Sequence, residues 1–152
     1  MDLLCKRLKY SNELLKSIVE IERLYMLDRS MCLKSTEEDI SKCLKSECSF
    51  ALYNSRKLIA FSLCYYSDYC TGYIEKCFVL PEYRGNGYQV RLIIENTKAL
   101  KNKGIEHMYS MVSAENKASV KSFKKVGFCF LKSIEYDGVQ RNLMFLKSES
   151  RV

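Results

Sequence analysis

The spacing of apolar residues changes several times along the chain, and each change marks an element. Residues 3–10 suit a first strand. Leu14, Ile18, Ile21 and Tyr25 then recur at helical steps, with Ser11 or Asn12 placed to cap the helix they define. Ser35 with Glu38 makes a capping-box pattern opening a short helix that carries Ile40, Cys43 and Leu44. Three strand-like runs follow, Ser49–Tyr53, Leu58–Tyr66 and Gly72–Leu80, with turns at Asn54–Lys57 and Ser67–Thr71. After Pro81, the only proline, the period becomes helical again: Val90, Ile93, Thr97 and Leu100 line one face until Gly104 stops it. His107–Val112 reads as a strand and Asn116–Val126 as a helix ended by Gly127. Phe128–Tyr136 and Gln140–Leu146 read as strands turning at Asp137-Gly138.

The predicted order is β-α-α-β-β-β-α-β-α-β-β, which argues for a mixed α/β sheet with helices on its faces. No repeat or Pro/Gly/Ser linker interrupts the 152 residues, so one domain is expected over 1–152. No run of about 18 apolar residues exists, so no membrane span is expected. Charges in MDLLCKRLKY stand where a signal peptide needs its apolar stretch, which points to the cytoplasm.

Charge changes the picture only once it is located. From Arg84 to Lys132 there are ten Lys/Arg against three Asp/Glu, so this third of the chain holds the whole net charge of +7. Nucleic acid, a polyphosphate ligand or a solvated helical face would each fit that excess. The eight cysteines contain no CxxC pair and lie mostly in apolar runs, and His107 is the only histidine. They read as reduced, mostly buried thiols, and no metal site is expected.

The most informative segment runs from Ile74 to Ile93. A strand leads through Pro81 into Arg84-Gly85-Asn86-Gly87-Tyr88-Gln89, which opens an amphipathic helix. A helix start offers unpaired N–H groups and the positive end of the dipole, and glycines let backbone approach an anion closely. The loop is not a Walker P-loop, and it lacks the third glycine of GxGxxG.

Here the chain resembles the GNAT superfamily of N-acetyltransferases, whose pyrophosphate loop reads [QR]-x-x-G-x-[GA], commonly within PEYRGxGxG after a strand ending in valine. Val79 through Tyr88 matches that pattern, and Gln89 departs from its last position. A second signature, N-x-x-A/S-x-x-x-Y-x-K-x-G-F, falls on Asn116, Ser119, Phe123, Lys125, Gly127 and Phe128, with Phe123 in place of tyrosine. The resemblance covers nearly the whole chain and implies a central, mostly antiparallel mixed sheet flanked by helices. It implies acetyl-CoA as co-substrate, with no metal, held by Phe78, Val79, Arg84, Gly85, Asn86, Gly87, Tyr88, Gln89, Asn116, Ser119, Phe123 and Lys125. Lys117, Lys121 and Lys124 join Lys125 as candidates for the 3′-phosphate.

The implied reaction moves acetyl to a primary amine by direct attack. Glu75, four residues before Val79, matches a general base found in many members. The resemblance has the strand's backbone splay near Phe78–Val79, freeing the Val79 N–H to polarise the acetyl carbonyl. Phe123 stands where many members carry a tyrosine thought to protonate the departing thiolate. Tyr88, Tyr109 and Tyr136 are alternative acids, and His107 reads as structural. The acceptor, a small-molecule or peptide amine, would meet about Tyr25–Lys34 and Asp137–Arg141, a region offering Glu22, Tyr25, Met26, Asp28 and Met31. A domain of this kind that binds acyl-CoA without efficient turnover is the alternative, motivated by Gln89 and Phe123. A nucleic-acid module has only the charge in its favour and no reader motif. A homodimer is left open.

Overall fold

A computed structural model of the chain describes residues 2–28, 35–67 and 70–148. The elements are β1 (Leu3–Arg7), α1 (Asn12–Tyr25), α2 (Glu37–Lys45), β2 (Phe50–Asn54), β3 (Lys57–Ser67) and β4 (Thr71–Val79), then a short 3-10 turn (Pro81–Tyr83). They continue as α3 (Tyr88–Asn102), β5 (His107–Ser113), α4 (Lys117–Val126), β6 (Cys129–Tyr136) and β7 (Val139–Lys147). The predicted order therefore stands, in one seven-stranded sheet ordered β1-β2-β3-β4-β5-β7-β6. Only β4 and β5 are parallel; every other neighbouring pair is antiparallel.

Local chemistry fixes the helix ends. The Ser11 hydroxyl accepts from the Leu14 N–H at 3.1 Å and starts α1. Gly127 ends α4 at a φ of +114°. The capping box of α2 is Thr36 with Asp39, one position beyond the expected Ser35 and Glu38. Ser35 is diverted because its N–H donates to the buried Glu22 carboxylate at 2.9 Å. The first strand ends at Arg7 and not at residue 10, because its ladder with β2 runs out at Phe50.

Strand alternation assigns the helices to faces. Ser62 of β3 bonds Asn96 of α3, so α3 covers that face, with α4 packed beside it. Neighbouring Phe61 points the other way and meets Phe78, which in turn meets Tyr25 of α1. Lys42 of α2 stands over Tyr65 on that same side. The core lies in the two layers between, centred on Ile18, Leu44, Phe61 and Leu63 on one side and Leu92, Ile93 and Leu100 on the other.

Among the described residues every cysteine is free. Cys43, Cys48 and Cys64 are buried, as expected, but Cys70 and Cys129 are exposed, and Cys32 lies outside the described residues. Among the described residues no helix is long and apolar enough to cross a membrane.

Candidate active site

The parallel pair forks. β4 and β5 are registered only over Thr71–Tyr73 with His107–Tyr109, although both strands continue well beyond. Ser110 donates to the Ile74 carbonyl at 2.9 Å where they part. The parting thus begins just past Tyr73, several residues earlier than the expected Phe78–Val79. A β-bulge explains the difference. Cys64 faces Ile74 and Leu63 faces Lys76, leaving Glu75 as the extra residue.

The bulge places two consecutive side chains on the α1/α2 side. Lys76 forms a 3.2 Å ion pair with Glu22 of α1, both side chains at most 10% exposed. Glu75 lies in the electrostatic reach of Asp39 and Lys42 of α2. Burial, with Asp39 adding to it, raises the Glu75 carboxyl above its ordinary value, and Lys76 and Lys42 oppose that rise. Lys76→Met should cost about 3–5 kcal/mol, because it strands the Glu22 charge in a dry site. A urea titration of the folded variant measures this; an unchanged midpoint would mean the pair adds nothing.

The Val79 amide points into the fork. Leu80 donates to the Ile59 carbonyl at 2.8 Å, and Val79 faces Ala60 in the same register. Hydrogen-bonded and non-bonded pairs alternate in an antiparallel ladder, so the Val79 N–H and C=O turn away from β3. The carbonyl accordingly accepts from Arg84 Nε at 3.0 Å.

A groove of about 500 Å³ extends from this point, lined by Val79, Arg84, Gly85, Gly87, Asn116 and Lys125 among others. Gly85 and Gly87 have φ of +84° and +76°, and a Cβ built on either meets nothing within 4 Å. Gly87 caps α3 with no side-chain hydrogen bond, so the first N–H groups of a 15-residue helix face the loop's open side. A bare, left-handed glycine turn at a helix start fits a pyrophosphate. Beyond the fork lies a smaller cleft of about 50 Å³, whose lining includes Glu75, Cys77, Ser110, Val112, Ser119 and Phe123.

The structure brings most of the expected residues to these two spaces. Phe78, Val79, Arg84, Gly85, Gly87, Tyr88, Gln89, Asn116, Ser119 and Lys125 line the groove, and Glu75 and Phe123 line the inner cleft. Asn86 is outside both; its amide folds back onto the Tyr83 carbonyl at 2.9 Å and braces the loop. Of the other lysines, Lys121 reaches the groove, whereas Lys117 and Lys124 do not line it. Asn116 also caps α4, accepting from the Ser119 N–H at 3.3 Å. Gln89 swings across to α4 and donates to Ser119 Oγ at 2.8 Å. Phe123 is 3% exposed and meets Phe128 edge-on at 5.1 Å, so it belongs to the core as well as to the cleft.

The alternative acids separate. Tyr88 lines the groove, Tyr109 stacks among Tyr73 and Phe145 across the sheet, and Tyr136 is exposed at the β6–β7 turn. His107 stacks on Phe145. Of the acceptor region, Tyr25 and Met26 line the groove, and Arg141 lines the inner cleft. Met31 and Lys34 lie outside the described residues. Cys77 and Ser110 were not singled out in the sequence as site residues; each sits in a strand where nothing but the fork brings it to the cleft. Burial pushes the Cys77 thiol up to about 11, which keeps it protonated and a poor nucleophile.

Known proteins share this fold. A 63-residue stretch is 29% identical to N-alpha-acetyltransferase 30 of Schizosaccharomyces pombe, covering 41% of this chain and 42% of that protein. The match therefore spans less than half of that relative. The crystal structure of the NatC complex bound to Gag peptide and CoA contains a similar chain: TM-score 0.81, 16% identity, covering 98% of this chain and 100% of that one. Arabidopsis thaliana NAA60 in complex with acetyl-CoA gives a TM-score of 0.79 at 17% identity, covering 96% of this chain and 99% of that one. The sequence pattern of the Acetyltransferase (GNAT) family matches residues 15–128, and the chain belongs to that family.

Proposed function

We propose that the protein transfers acetyl from acetyl-CoA to a primary amine by direct attack, and that a peptide N-terminus is the acceptor to test first. The observation that carries this reading is the fork, where the glycine-loop groove, with Val79 in its wall, and the Glu75 cleft share Met26, Cys77, Gln89 and Ser119 as common walls. The acceptor class rests on the peptide bound to the NatC complex and on the N-alpha-acetyltransferase 30 match.

The chain's own groups divide the work. The Gly85–Gly87 turn and the α3 N-terminus hold the pyrophosphate, and Lys121 and Lys125 add positive charge along the groove. An amine is mostly protonated at neutral pH and must lose a proton to attack. Glu75, with its raised carboxyl, accepts that proton directly or through water. As nitrogen bonds to the carbonyl carbon, negative charge grows on oxygen and the Val79 N–H stabilises it. Collapse forms the amide and breaks the C–S bond, and the second proton of the attacking nitrogen passes, directly or through water, to the departing sulfur to give the free thiol. The thiolate, with a parent thiol pKa near 8.5, leaves without an obligatory acid.

That last step yields a prediction. Phe123→Tyr adds a hydroxyl where Phe123 borders the inner cleft. If protonating the thiolate limits turnover, kcat should rise about 10-fold or more. Acetyl-CoA affinity should hardly move. A folded variant with unchanged kcat would mean that another group supplies the proton, that the thiolate leaves unaided, or that a different step limits turnover.

The test of the function is acetyl-CoA with a panel of peptides and small amines, followed through free-thiol release. Peptides with blocked N-termini serve as controls. Release that requires a free N-terminus supports the reading. Binding of acetyl-CoA with no release across the panel would replace it with a non-catalytic acyl-CoA binder.

A further inference from the structure

We propose that Gln89, pinned by Ser119, sets the acyl group this protein accepts by closing the inner cleft to chains longer than acetyl. The inference rests on the acetyl-CoA reading and concerns a side chain where the family pattern has glycine or alanine. Gln89 and Ser119 line both the groove and the inner cleft, so the bond between them spans the passage from one to the other. The inner space is about 50 Å³ against about 500 Å³ for the groove.

The Gln89 side chain is not a loose flap. Its Nε2 donates to Ser119 Oγ at 2.8 Å, and it lines both spaces together with Cys77. Cys77 Sγ lies 3.2 Å from Ser62 Oγ, which bonds the fully buried Asn96, and Asn96 donates to the Cys48 carbonyl at 2.7 Å. Gln89 is thus tied to α4 on one side, and the Cys77 wall beside it is tied into the core between β3 and α3. The other walls yield no more easily: Ile74, Val112 and Phe123 are each at most 6% exposed and belong to the packed core. A longer acyl chain must displace the carboxamide and leave its partners unpaired in a dry site, whereas acetyl need not. Truncating Gln89 removes the plug and leaves the backbone N–H groups of the loop in place.

Calorimetric titration of the full chain with CoA, acetyl-CoA, propionyl-CoA and butyryl-CoA tests this without knowledge of the acceptor. Wild type should bind acetyl-CoA at least about 10-fold more tightly than butyryl-CoA, the penalty of two methylenes of which even one does not fit. Gln89→Ala should shrink that ratio about 10-fold, the ratio being taken within each protein so that any change in affinity for the CoA portion cancels. Ser119→Ala, which frees the carboxamide without removing it, should shrink it by less. Wild type binding the acyl-CoAs equally, or a folded Gln89→Ala keeping the wild-type ratio, would overturn the inference. Should Gln89→Ala not fold, Ser119→Ala decides, and an unchanged ratio there overturns it. Wild type binding none of the four would instead remove the acetyl-CoA reading, and this inference with it.

Discussion

Gly87→Val should abolish the rise in thermal midpoint that acetyl-CoA gives the wild-type protein. A ligand selective for the folded state at 100 times its Kd adds about 2.7 kcal/mol. For a chain of this size that corresponds to a shift on the order of 5–10 °C. Gly87 has a φ of +76°, where a β-branched residue is a genuine outlier. Valine would therefore pull the turn out of shape and also project a branched side chain from the loop's open side. Both effects act on the N–H groups at the start of α3.

Backbone strain alone is separated by a second variant. Gly104 has a φ of +81° and equally open surroundings, but it follows the far end of α3. Gly104→Val should lower the unliganded midpoint and keep the acetyl-CoA shift. If Gly87→Val folds and shows the full wild-type shift, the loop is not the acetyl-CoA site. If both variants lose the shift, binding fails through the helix and not through the loop.

What could be read in advance was whatever depends on neighbours in sequence. The stripe at Leu14, Ile18, Ile21 and Tyr25 declared α1, and the glycine turn before Tyr88 declared both α3 and a place for anions. The α2 cap slipped by one because Ser35 with Glu38 and Thr36 with Asp39 are the same local pattern. Only Glu22, brought in from α1, distinguishes them. The bulge was hidden for a related reason. Two adjacent charged residues, Glu75 and Lys76, interrupt the alternation of the strand, but that one of them is an extra residue appears only against the partner strand. The Gln89–Ser119 bond joins residues 30 positions apart on two helices, so the sequence marked Gln89 as a departure and was silent about its destination. Charge was readable in bulk but not lysine by lysine, since one face of α4 puts Lys121 and Lys125 at the groove and another turns Lys117 and Lys124 from it.

Glu75→Gln should lower turnover by about 10²–10⁴-fold, the worth of a positioned general base. Acetyl-CoA binding should be largely retained, because Glu75 lines the inner cleft and not the loop groove. The loss should be greatest below the pKa of the acceptor amine, where a proton must be removed before attack. In wild type, the acid limb of the rate profile should lie above the ordinary carboxylate range, because burial and Asp39 raise the Glu75 carboxyl. That limb should vanish in the variant. Stability should move in the opposite sense. A carboxyl whose folded-state pKa is raised costs the folded protein nothing below its unfolded-state value. The cost grows as pH climbs between the two values and is complete above the folded-state value. Glu75→Gln should therefore unfold at higher urea than wild type at neutral pH, and at the same urea in acid. A variant that loses turnover equally at every pH, with no gain in neutral stability, would assign Glu75 to positioning the β4 bulge. Loss of activity with the acid limb erased and the neutral protein stabilised would instead mark a base held in a costly site because the reaction uses it.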